Sequence, residues 1–159
     1  LDKIKNCEIL LPSGAIAGLD SIKSVSGKIK SLTLTTTKPP QGLKGAQYII
    51  SNNIGLSNLK GKKIVFEGTL KDAVAGFPQN INVAATLFLA SKFDNIRVKI
   101  IADPDTKFNT HEIEAQGNFG IIKTTTQNLP SKNPKTSYLA VLSAIQAIKN
   151  IKNKIKVGS

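Results

Sequence analysis

Three strand-like runs follow one another in residues 96–126, which read IRVKIIADPDTKFNTHEIEAQGNFGIIKTTT. Because apolar and β-branched residues favour extended structure, we predict β-strands at residues 96–102, 111–116 and 119–126. In residues 28–37 apolar and polar residues partly alternate, and threonine is frequent. This pattern predicts another strand, with Ile29, Leu32 and Leu34 turned inward. The KPP sequence at 38–40 stops this strand, since proline cannot donate to a β-ladder. Residues 64–69 predict a further strand.

Helices are predicted at four places. Residues 12–15 are typical of a helix start with Ser13 as N-cap, and apolar residues follow at helical spacing up to Val25. Residues 70–75 predict a short helical turn before the Gly-Phe-Pro sequence at 76–78. Residues 80–90 are nearly all apolar and predict a helix buried on all sides, with Asn80 or Asn82 exposed at its N-terminal end. Residues 138–151 predict an amphipathic helix whose apolar residues are Leu139, Leu142, Ile145 and Ile148.

The order of these elements predicts the fold class. Runs of strands with a few helices, without strict βαβα alternation, favour an α+β fold. We expect a mixed, largely antiparallel sheet that helices cover on one face. The chain has 159 residues, no internal repeat and no low-complexity linker, so residues 1–159 are interpreted as one domain.

Charge and composition narrow the functional classes. The net charge is +12, but only Arg97 among the 22 basic residues is an arginine, the residue that carries most base-edge recognition. Aromatic residues that could stack on bases make up only 5% of the chain. We therefore expect no nucleic-acid partner, and interpret the positive field as one that favours a small anionic substrate.

The numbers of cysteine and methionine residues indicate the cellular compartment and whether the chain is part of a longer polypeptide. Cys7 is the only cysteine, which fits a reducing cytosol and excludes a zinc site built on several thiolates. The sequence contains no membrane-spanning apolar run and no segment typical of a secretory signal, so we expect a cytoplasmic protein with no membrane partner. It also contains no methionine, from which we expect that the chain is the latter part of a longer polypeptide.

His111 is the only histidine, and it lies in a polar stretch that reads NTHE at 109–112. Histidine is the one side chain whose ordinary pKa, about 6.5, suits proton exchange near neutrality. A lone histidine is also typical of a surface or packing residue. Three further polar clusters, at 13–15, 77–82 and 133–137, stand where loops meet helices or strands, as binding residues often do. Taken singly, each cluster is equally consistent with capping and turn chemistry.

Taken in order, the motifs resemble the C-terminal half of L-aspartate dehydrogenase. The resemblance rests on LPSGAIAGLD at 11–20, KPP at 38–40, FPQNINVAA at 77–85, IIADP at 100–104, NTHE at 109–112 and NPKTSY at 133–138. It implies NAD(P)-dependent oxidation of L-aspartate to iminoaspartate, which hydrolyses to oxaloacetate and ammonia or enters NAD biosynthesis. It also implies an N-terminal Rossmann dinucleotide-binding domain, which these residues do not contain. We accordingly expect the isolated chain to be inactive.

The resemblance also implies roles for individual residues. His111 matches the acid/base residue of the family, and Ala15 and Asn82 match its cofactor contacts in this half. As substrate-binding residues we predict Asn80, Thr110, Lys135, Thr136 and Ser137, from charge and position alone. No metal is expected, the cofactor is NAD or NADP, and a homodimer is expected because exposed sheet faces commonly pair.

The chemistry is consistent with these roles, since loss of hydride from Cα requires an amine that has first lost a proton. His111 would accept that proton, with Glu112 or a backbone carbonyl fixing its tautomer. Two alternatives remain open. One is a different Rossmann-coupled dehydrogenase that acts on another amino or hydroxy acid. The other is a non-enzymatic basic module for binding or dimerisation.

Overall fold

A five-stranded sheet forms the centre of the computed structural model, which describes residues 9–78, 82–132 and 136–155. The strands are β1 (Ile29–Lys38), β2 (Lys63–Thr69), β3 (Ile96–Ala102), β4 (Asn109–Gly117) and β5 (Gly120–Asn128). They lie in the order β2-β3-β1-β4-β5. Only β1 and β3 run parallel, and the other three neighbouring pairs are antiparallel. The predicted α+β class and mixed, largely antiparallel sheet are therefore confirmed.

One face of the sheet is buried and the other is open. Leu32 and Leu34 on β1 and Ile113 and Ala115 on β4 belong to the apolar core, whereas Glu112, which precedes Ile113, is exposed. The alternation follows from the two-residue side-chain period of a strand. Ile29 is also buried, as predicted, although it lies three residues before Leu32, because the ladder between β1 and β4 shifts register between Ile29 and Ser31.

Five helices accompany the sheet within the described ranges. They are α1 (Leu19–Ser24), α2 (Gln47–Ser51), α3 (Leu70–Gly76), α4 (Asn82–Ser91) and α5 (Tyr138–Asn150), with a 3₁₀ turn at Pro40–Gly42. The predicted helix start at residues 12–15 is wrong: α1 begins only at Leu19, after Gly18 in the left-handed conformation. Helix α2 was not predicted. Its Tyr48 packs edge-on against Phe66 of β2, with 5.1 Å between ring centroids.

The two longer helices are less covered than their sequences predict. Helix α4 buries Ala84, Leu87 and Ser91, but Ala85 and Leu89 are exposed, so it is not buried on all sides. Helix α5 is amphipathic as predicted, yet none of its residues is buried and Ile148 is 69% exposed. Across the described part of the chain, no helix combines the length and the apolar character needed to cross a membrane.

The segment before α1 runs along the inward face of β5 and is held there by side chains. The Thr124 hydroxyl donates to the carbonyl of Ala17 at 3.2 Å, and the Thr126 hydroxyl donates to the carbonyl of Ala15 at 2.7 Å. The Asn128 amide also donates to Ala15, at 2.9 Å. Residues 13–18 form no helix, and the bonds to Ala15 satisfy a carbonyl of a buried residue that would otherwise lack a partner.

We predict that Gly18→Ala lowers the free energy of unfolding more than Gly14→Ala does. Both glycines have positive φ, +77° and +65°, so an alanine at either position carries left-handed strain of about 1–2 kcal/mol. Only at Gly18 would the added Cβ lie 2.6 Å from Cγ2 of Thr124, whereas at Gly14 it would meet no atom within 4 Å. Urea unfolding of both variants measures the difference, expected at about 1 kcal/mol or more. Equal losses would contradict the close approach of this segment to β5.

Candidate functional site

The imidazole of His111 lies on the inward face of the sheet, at its polar end. His111 is only 3% exposed, and its side chain follows the same face as Ile113. Across the ladder it is paired with Thr36 of β1 on one side and Thr126 of β5 on the other. The ring atom Nδ1 lies 3.0 Å from the hydroxyl oxygen of Thr36. Three strands thus place one imidazole between two threonines.

Burial decides the protonation state of His111. Loss of hydration, together with a smaller contribution from the positive charge of Lys38, lowers its pKa from 6.5 to about 3. The ring is therefore neutral at neutral pH, with one nitrogen able to donate and the other able to accept. Since Nδ1 is hydrogen-bonded to Thr36, the partner of the ring is a threonine and not Glu112, whose side chain lies on the exposed face. The expected tautomer-fixing role of Glu112 is wrong.

Three more polar side chains are buried where the strands end beside His111. Lys38, Asn109 and Asn128 are 4%, 1% and 4% exposed. Asn109 is paired with Asn128, and the same register of β1 and β4 that pairs Thr37 with Thr110 brings Lys38 next to Asn109. Burial lowers the pKa of Lys38 to about 8, so the ammonium form still predominates at pH 7. The inward face therefore changes from an apolar core to a cluster of buried polar groups within a few residues.

The predicted cofactor residue Ala15 lies next to this cluster. Its carbonyl accepts hydrogen bonds from Thr126, the cross-strand neighbour of His111, and from Asn128. Ala15 itself is 6% exposed. Residues 13 and 14 are fixed from the other side, because the Ser143 hydroxyl of α5 accepts from the Gly14 N–H at 3.0 Å and contacts the Ser13 hydroxyl at 3.1 Å. The structure thus brings Ala15 and His111 together through β5.

Asn82, the other predicted cofactor residue, is the first residue of α4 and is exposed. Its carbonyl accepts from the Thr86 hydroxyl at 2.9 Å. Ala84 and Leu87 of the same helix belong to the core formed by the inward face of the sheet, so α4 covers the face from which His111 projects. Thr110 is different. It is adjacent to His111 on β4, so its side chain lies on the opposite face of the sheet and is not brought to the imidazole.

The remaining predicted substrate residues belong to two segments. Asn80 and Lys135 lie outside the described residues. The carbonyl of Thr136 accepts from the N–H of Ser131 at 2.7 Å, and Ser137 forms an isolated bridge with Pro130. Ser137 is 6% exposed and immediately precedes α5. These contacts place Thr136 and Ser137 beside the segment that follows Asn128, at the same end of β5 as the polar cluster.

Several members of the cluster are absent from the predicted site, although the sequence carries their signal. Lys38 lies two residues after Thr36, and Asn109 lies two residues before His111, so each pair shares one face of a strand. The predicted strands end at residue 37 and begin at residue 111, which leaves both residues in loops. If each predicted strand is extended by two residues, Lys38 and Asn109 fall on the same face as Thr36 and His111.

A groove of about 970 Å³ opens at the same edge of the sheet. Its wall includes Pro39, Pro40 and Pro104, which follow the ends of β1 and β3, together with Lys44 and Thr106. His111 does not line this groove. The groove therefore begins one residue beyond Lys38 and does not contain the imidazole.

Comparison with known proteins assigns a family to this arrangement. Residues 20–151 match the family described as the C-terminal part of aspartate dehydrogenase. The chain belongs to that family. It is 51% identical to the L-aspartate dehydrogenase of Methanococcoides burtonii over 156 residues, and 49% identical to that of Nitrosopumilus maritimus over 154 residues. These matches cover 96% and 95% of this chain, but 58% and 57% of the relatives.

A solved structure supports the same family assignment. The crystal structure of aspartate dehydrogenase from Thermotoga maritima superposes with a TM-score of 0.76 at 34% sequence identity. The match covers 95% of this chain and 56% of that protein. The chain thus spans somewhat more than half the length of the relatives that it resembles.

We predict that the free energy of unfolding decreases as the pH falls from about 6.5 toward 3. In this window the unfolded chain protonates His111 while the folded protein keeps it neutral, because burial holds its pKa at about 3. The expected contribution is about 1.4 kcal/mol for each pH unit, and it vanishes above pH 6.5. Denaturant unfolding of the wild type and of His111→Gln is measured at several pH values. The difference between the two free energies of unfolding gives the contribution of His111, because the carboxylates titrate equally in both proteins. Parallel pH curves would contradict a buried neutral imidazole.

Proposed function

We propose that this chain is the catalytic and substrate-binding half of an NAD(P)-dependent L-aspartate dehydrogenase. The reaction is oxidative deamination of L-aspartate to iminoaspartate, which hydrolyses to oxaloacetate and ammonia or supplies NAD biosynthesis. Relatives at about 50% identity that carry this name support the proposal. Because those relatives are longer than the matched region, we assign the dinucleotide-binding Rossmann domain to a part of the polypeptide outside residues 1–159, and expect no activity from these residues alone.

The observation that carries the proposal is the placement of His111. A neutral imidazole with one nitrogen engaged by Thr36 has a defined orientation and leaves Nε2 as the atom for proton exchange. Its cross-strand neighbour Thr126 also holds Ala15, the residue that the family resemblance implies in cofactor binding. A packing histidine would need neither the adjoining buried polar groups nor this link to the segment at 13–15.

The residues around Ala15 and Asn82 are compatible with a nicotinamide nucleotide. A Cβ at Gly14 would meet no atom within 4 Å, so the backbone beside Ala15 adjoins open space that can admit a planar group. Asn82 is exposed at the start of α4 and offers an amide side chain for hydrogen bonds to ribose or carboxamide. When bound, the nucleotide supplies the ring that accepts hydride from the substrate Cα. NAD and NADP share this ring, its carboxamide and its ribose, so either nucleotide suits these residues.

The chain's own residues perform the proton transfer. Nε2 of His111 accepts a proton from the substrate ammonium group, so the nitrogen lone pair becomes available to form the C=N bond as hydride leaves Cα. The Thr36 hydroxyl holds the other ring nitrogen throughout. Burial of the site excludes water from the neutral imidazole, so the proton passes between substrate and ring. Thr136 and Ser137 lie near the end of β5 and are proposed to contact the substrate, as are Asn80 and Lys135 from the sequence alone. Thr110 is left out of this set because its side chain lies on the opposite face of the sheet.

We predict that His111→Ala in the complete polypeptide lowers kcat for L-aspartate by about 10²–10⁴-fold, the usual contribution of a positioned acid/base group. Steady-state assays of nucleotide reduction measure this loss. Glu112→Gln is the matched control: it changes the next residue of β4, whose side chain is exposed on the other face, and is expected to keep activity within about two-fold. Turnover of His111→Ala close to that of the wild type would remove His111 from the mechanism.

The open face of the sheet supports a homodimer. It spans five strands and carries Thr35, Glu112 and Thr125 with the exposed apolar side chain of Ile121. Ile121 is 61% exposed. The charges on this face are largely matched within the chain, as between Lys123 and Glu114 at 2.9 Å, so two copies can approach without uncompensated charge. We propose that this face pairs with that of a second chain, in the reducing cytoplasm that the lone Cys7 suits.

We predict a molar mass near twice the 17.0 kDa of one chain in light scattering after gel filtration. Ile121→Glu is expected to shift the mass toward one chain, because it introduces a charge into the proposed contact. Ile50→Glu provides the control, since Ile50 is 59% exposed on α2, away from that face. A dimer that persists in Ile121→Glu, or that dissociates equally in Ile50→Glu, would place the interface elsewhere.

A further inference from the structure

The turn at residues 13–16 contains one peptide unit, between Gly14 and Ala15, that makes no hydrogen bond within the described chain. The Ile16 N–H donates to the carbonyl of Ser13 at 3.4 Å and closes the turn. Among the described residues, no group bonds to the Gly14 carbonyl or to the Ala15 N–H. A Cβ at Gly14 would meet no atom within 4 Å, so this unit borders open space. Its donor and its acceptor are therefore available to a ligand.

The sequence of the turn alone does not fix the orientation of this peptide unit. Gly14 has a φ of +65°, and glycine adopts positive and negative φ about equally well. The unit between Gly14 and Ala15 can therefore rotate unless the peptide units before and after it are held. A ligand that needs one orientation would otherwise lose part of its binding free energy to ordering the turn.

Strand β5 holds the peptide unit that follows, which carries the Ala15 carbonyl. The Thr126 hydroxyl donates to this carbonyl at 2.7 Å, and the Asn128 amide donates to it at 2.9 Å. A carbonyl oxygen has two lone pairs, so donors from two residues can occupy both and restrict rotation of the peptide plane. Asn128 is 4% exposed, which shields its bond from water.

Helix α5 holds the peptide unit that precedes, which carries the Gly14 N–H. This N–H donates to the Ser143 hydroxyl at 3.0 Å, and the same hydroxyl lies 3.1 Å from that of Ser13. The units before and after the Gly14–Ala15 unit are thus held by different elements of the fold. The unit between them keeps its own groups for another partner.

We propose that Thr126, Asn128 and Ser143 are positioning residues for the nucleotide. They hold the Gly14–Ala15 peptide unit in the orientation that contacts the nicotinamide end, and they act through this unit without touching the nucleotide. A contact that is ordered before binding improves affinity, because the bound complex loses less conformational freedom. The inference rests on the proposed function, in which Ala15 is a cofactor contact.

The nicotinamide end is assigned because of the position of β5. Thr126 is the cross-strand neighbour of His111, so the strand that holds the Ala15 carbonyl also borders the proposed base. Hydride transfer requires the nicotinamide ring to lie against the substrate Cα, whose amine His111 deprotonates. The adenosine half of the nucleotide belongs to the Rossmann domain in the proposed function. Loss of the positioning bonds is therefore expected to affect only the nicotinamide half.

Thr124 provides a matched control on the same strand. It is the preceding inward residue of β5, and its hydroxyl donates to the carbonyl of Ala17 at 3.2 Å. This bond ties the same segment to the same strand, but it fixes no peptide unit adjoining the one between Gly14 and Ala15. Thr124→Val and Thr126→Val both replace a hydroxyl by a methyl group of similar size and keep a β-branched side chain.

Calorimetric titration of the complete polypeptide tests the proposal with two probes. One is the reduced nucleotide that the wild type prefers, and the other is the same molecule without its nicotinamide, ADP-ribose or its 2′-phosphate. We expect Thr126→Val and Ser143→Ala each to weaken binding of the reduced nucleotide by about 3- to 10-fold, the usual effect of one lost hydrogen bond. Binding of the probe without nicotinamide is expected to stay at the wild-type affinity.

Conservative variants separate positioning from packing. Thr126→Ser and Ser143→Thr keep the hydroxyl groups and are expected to recover most of the lost affinity. Asn128→Leu removes the second donor to the Ala15 carbonyl and is expected to act like Thr126→Val. Ser143 is only partly buried, so Ser143→Ala tests the proposal even if the substitutions in β5 prevent folding. Thr124→Val is expected to leave both affinities unchanged.

The outcomes distinguish the positioning role from the proposed function. If the wild type turns over L-aspartate while Thr126→Val and Ser143→Ala bind the reduced nucleotide normally, the positioning role is wrong and the proposed function stands. Equal weakening of both probes, or the same weakening in Thr124→Val, would show a general structural role and also overturn the proposal. A wild type without L-aspartate turnover overturns the proposed function, and the inference with it.

Discussion

The pairing of β1, β4 and β5 in one register is the constraint on which the site depends. It aligns Thr36, His111 and Thr126 in a single row on the buried face. Because side chains alternate with a period of two, a slip of one residue would turn His111 to the open face and bring Glu112 inward. The apolar residues that precede the polar end, such as Leu34 and Ile113, oppose that slip, since each would lose its place in the core. The register that places the apolar residues in the core therefore also places the imidazole of His111 on the buried face.

Burial of the His111 ring then determines its protonation state. A histidine in solvent would be partly protonated near pH 7, whereas His111 in its row is neutral and fixed by a hydroxyl group. The same burial that keeps the ring neutral brings Lys38 close enough to oppose its protonation. The predicted loss of stability at low pH has the same physical origin as the neutrality of this ring.

Much of the fold could be predicted from the sequence, because strand alternation and core composition are local signals. The strand at Ile96–Ala102 agrees with its prediction at both ends, and the other strands differ by a few residues. The helix start near Ser13 was wrong because side chains of β5 bond to the backbone of that segment, which forms a turn at residues 14–15. Helix α4 has a mostly apolar sequence but exposed residues, since the described chain covers only one of its sides. At the polar end of the sheet, His111 and Ala15 were named from the family resemblance. Lys38 and Asn109 were missed because the predicted strands stopped one and two residues short of them.

A buried, neutral imidazole is tested most directly by titration of His111 with nuclear magnetic resonance. The chain contains one histidine, so the imidazole signals of the labelled protein are assigned without ambiguity. We expect the ring to stay neutral from pH 7 to about pH 5 in the folded protein, with the proton on a single nitrogen and no titration near pH 6.5. A folded chain whose imidazole titrates with a pKa between 6 and 7, and exchanges freely between tautomers, would contradict the burial of this ring.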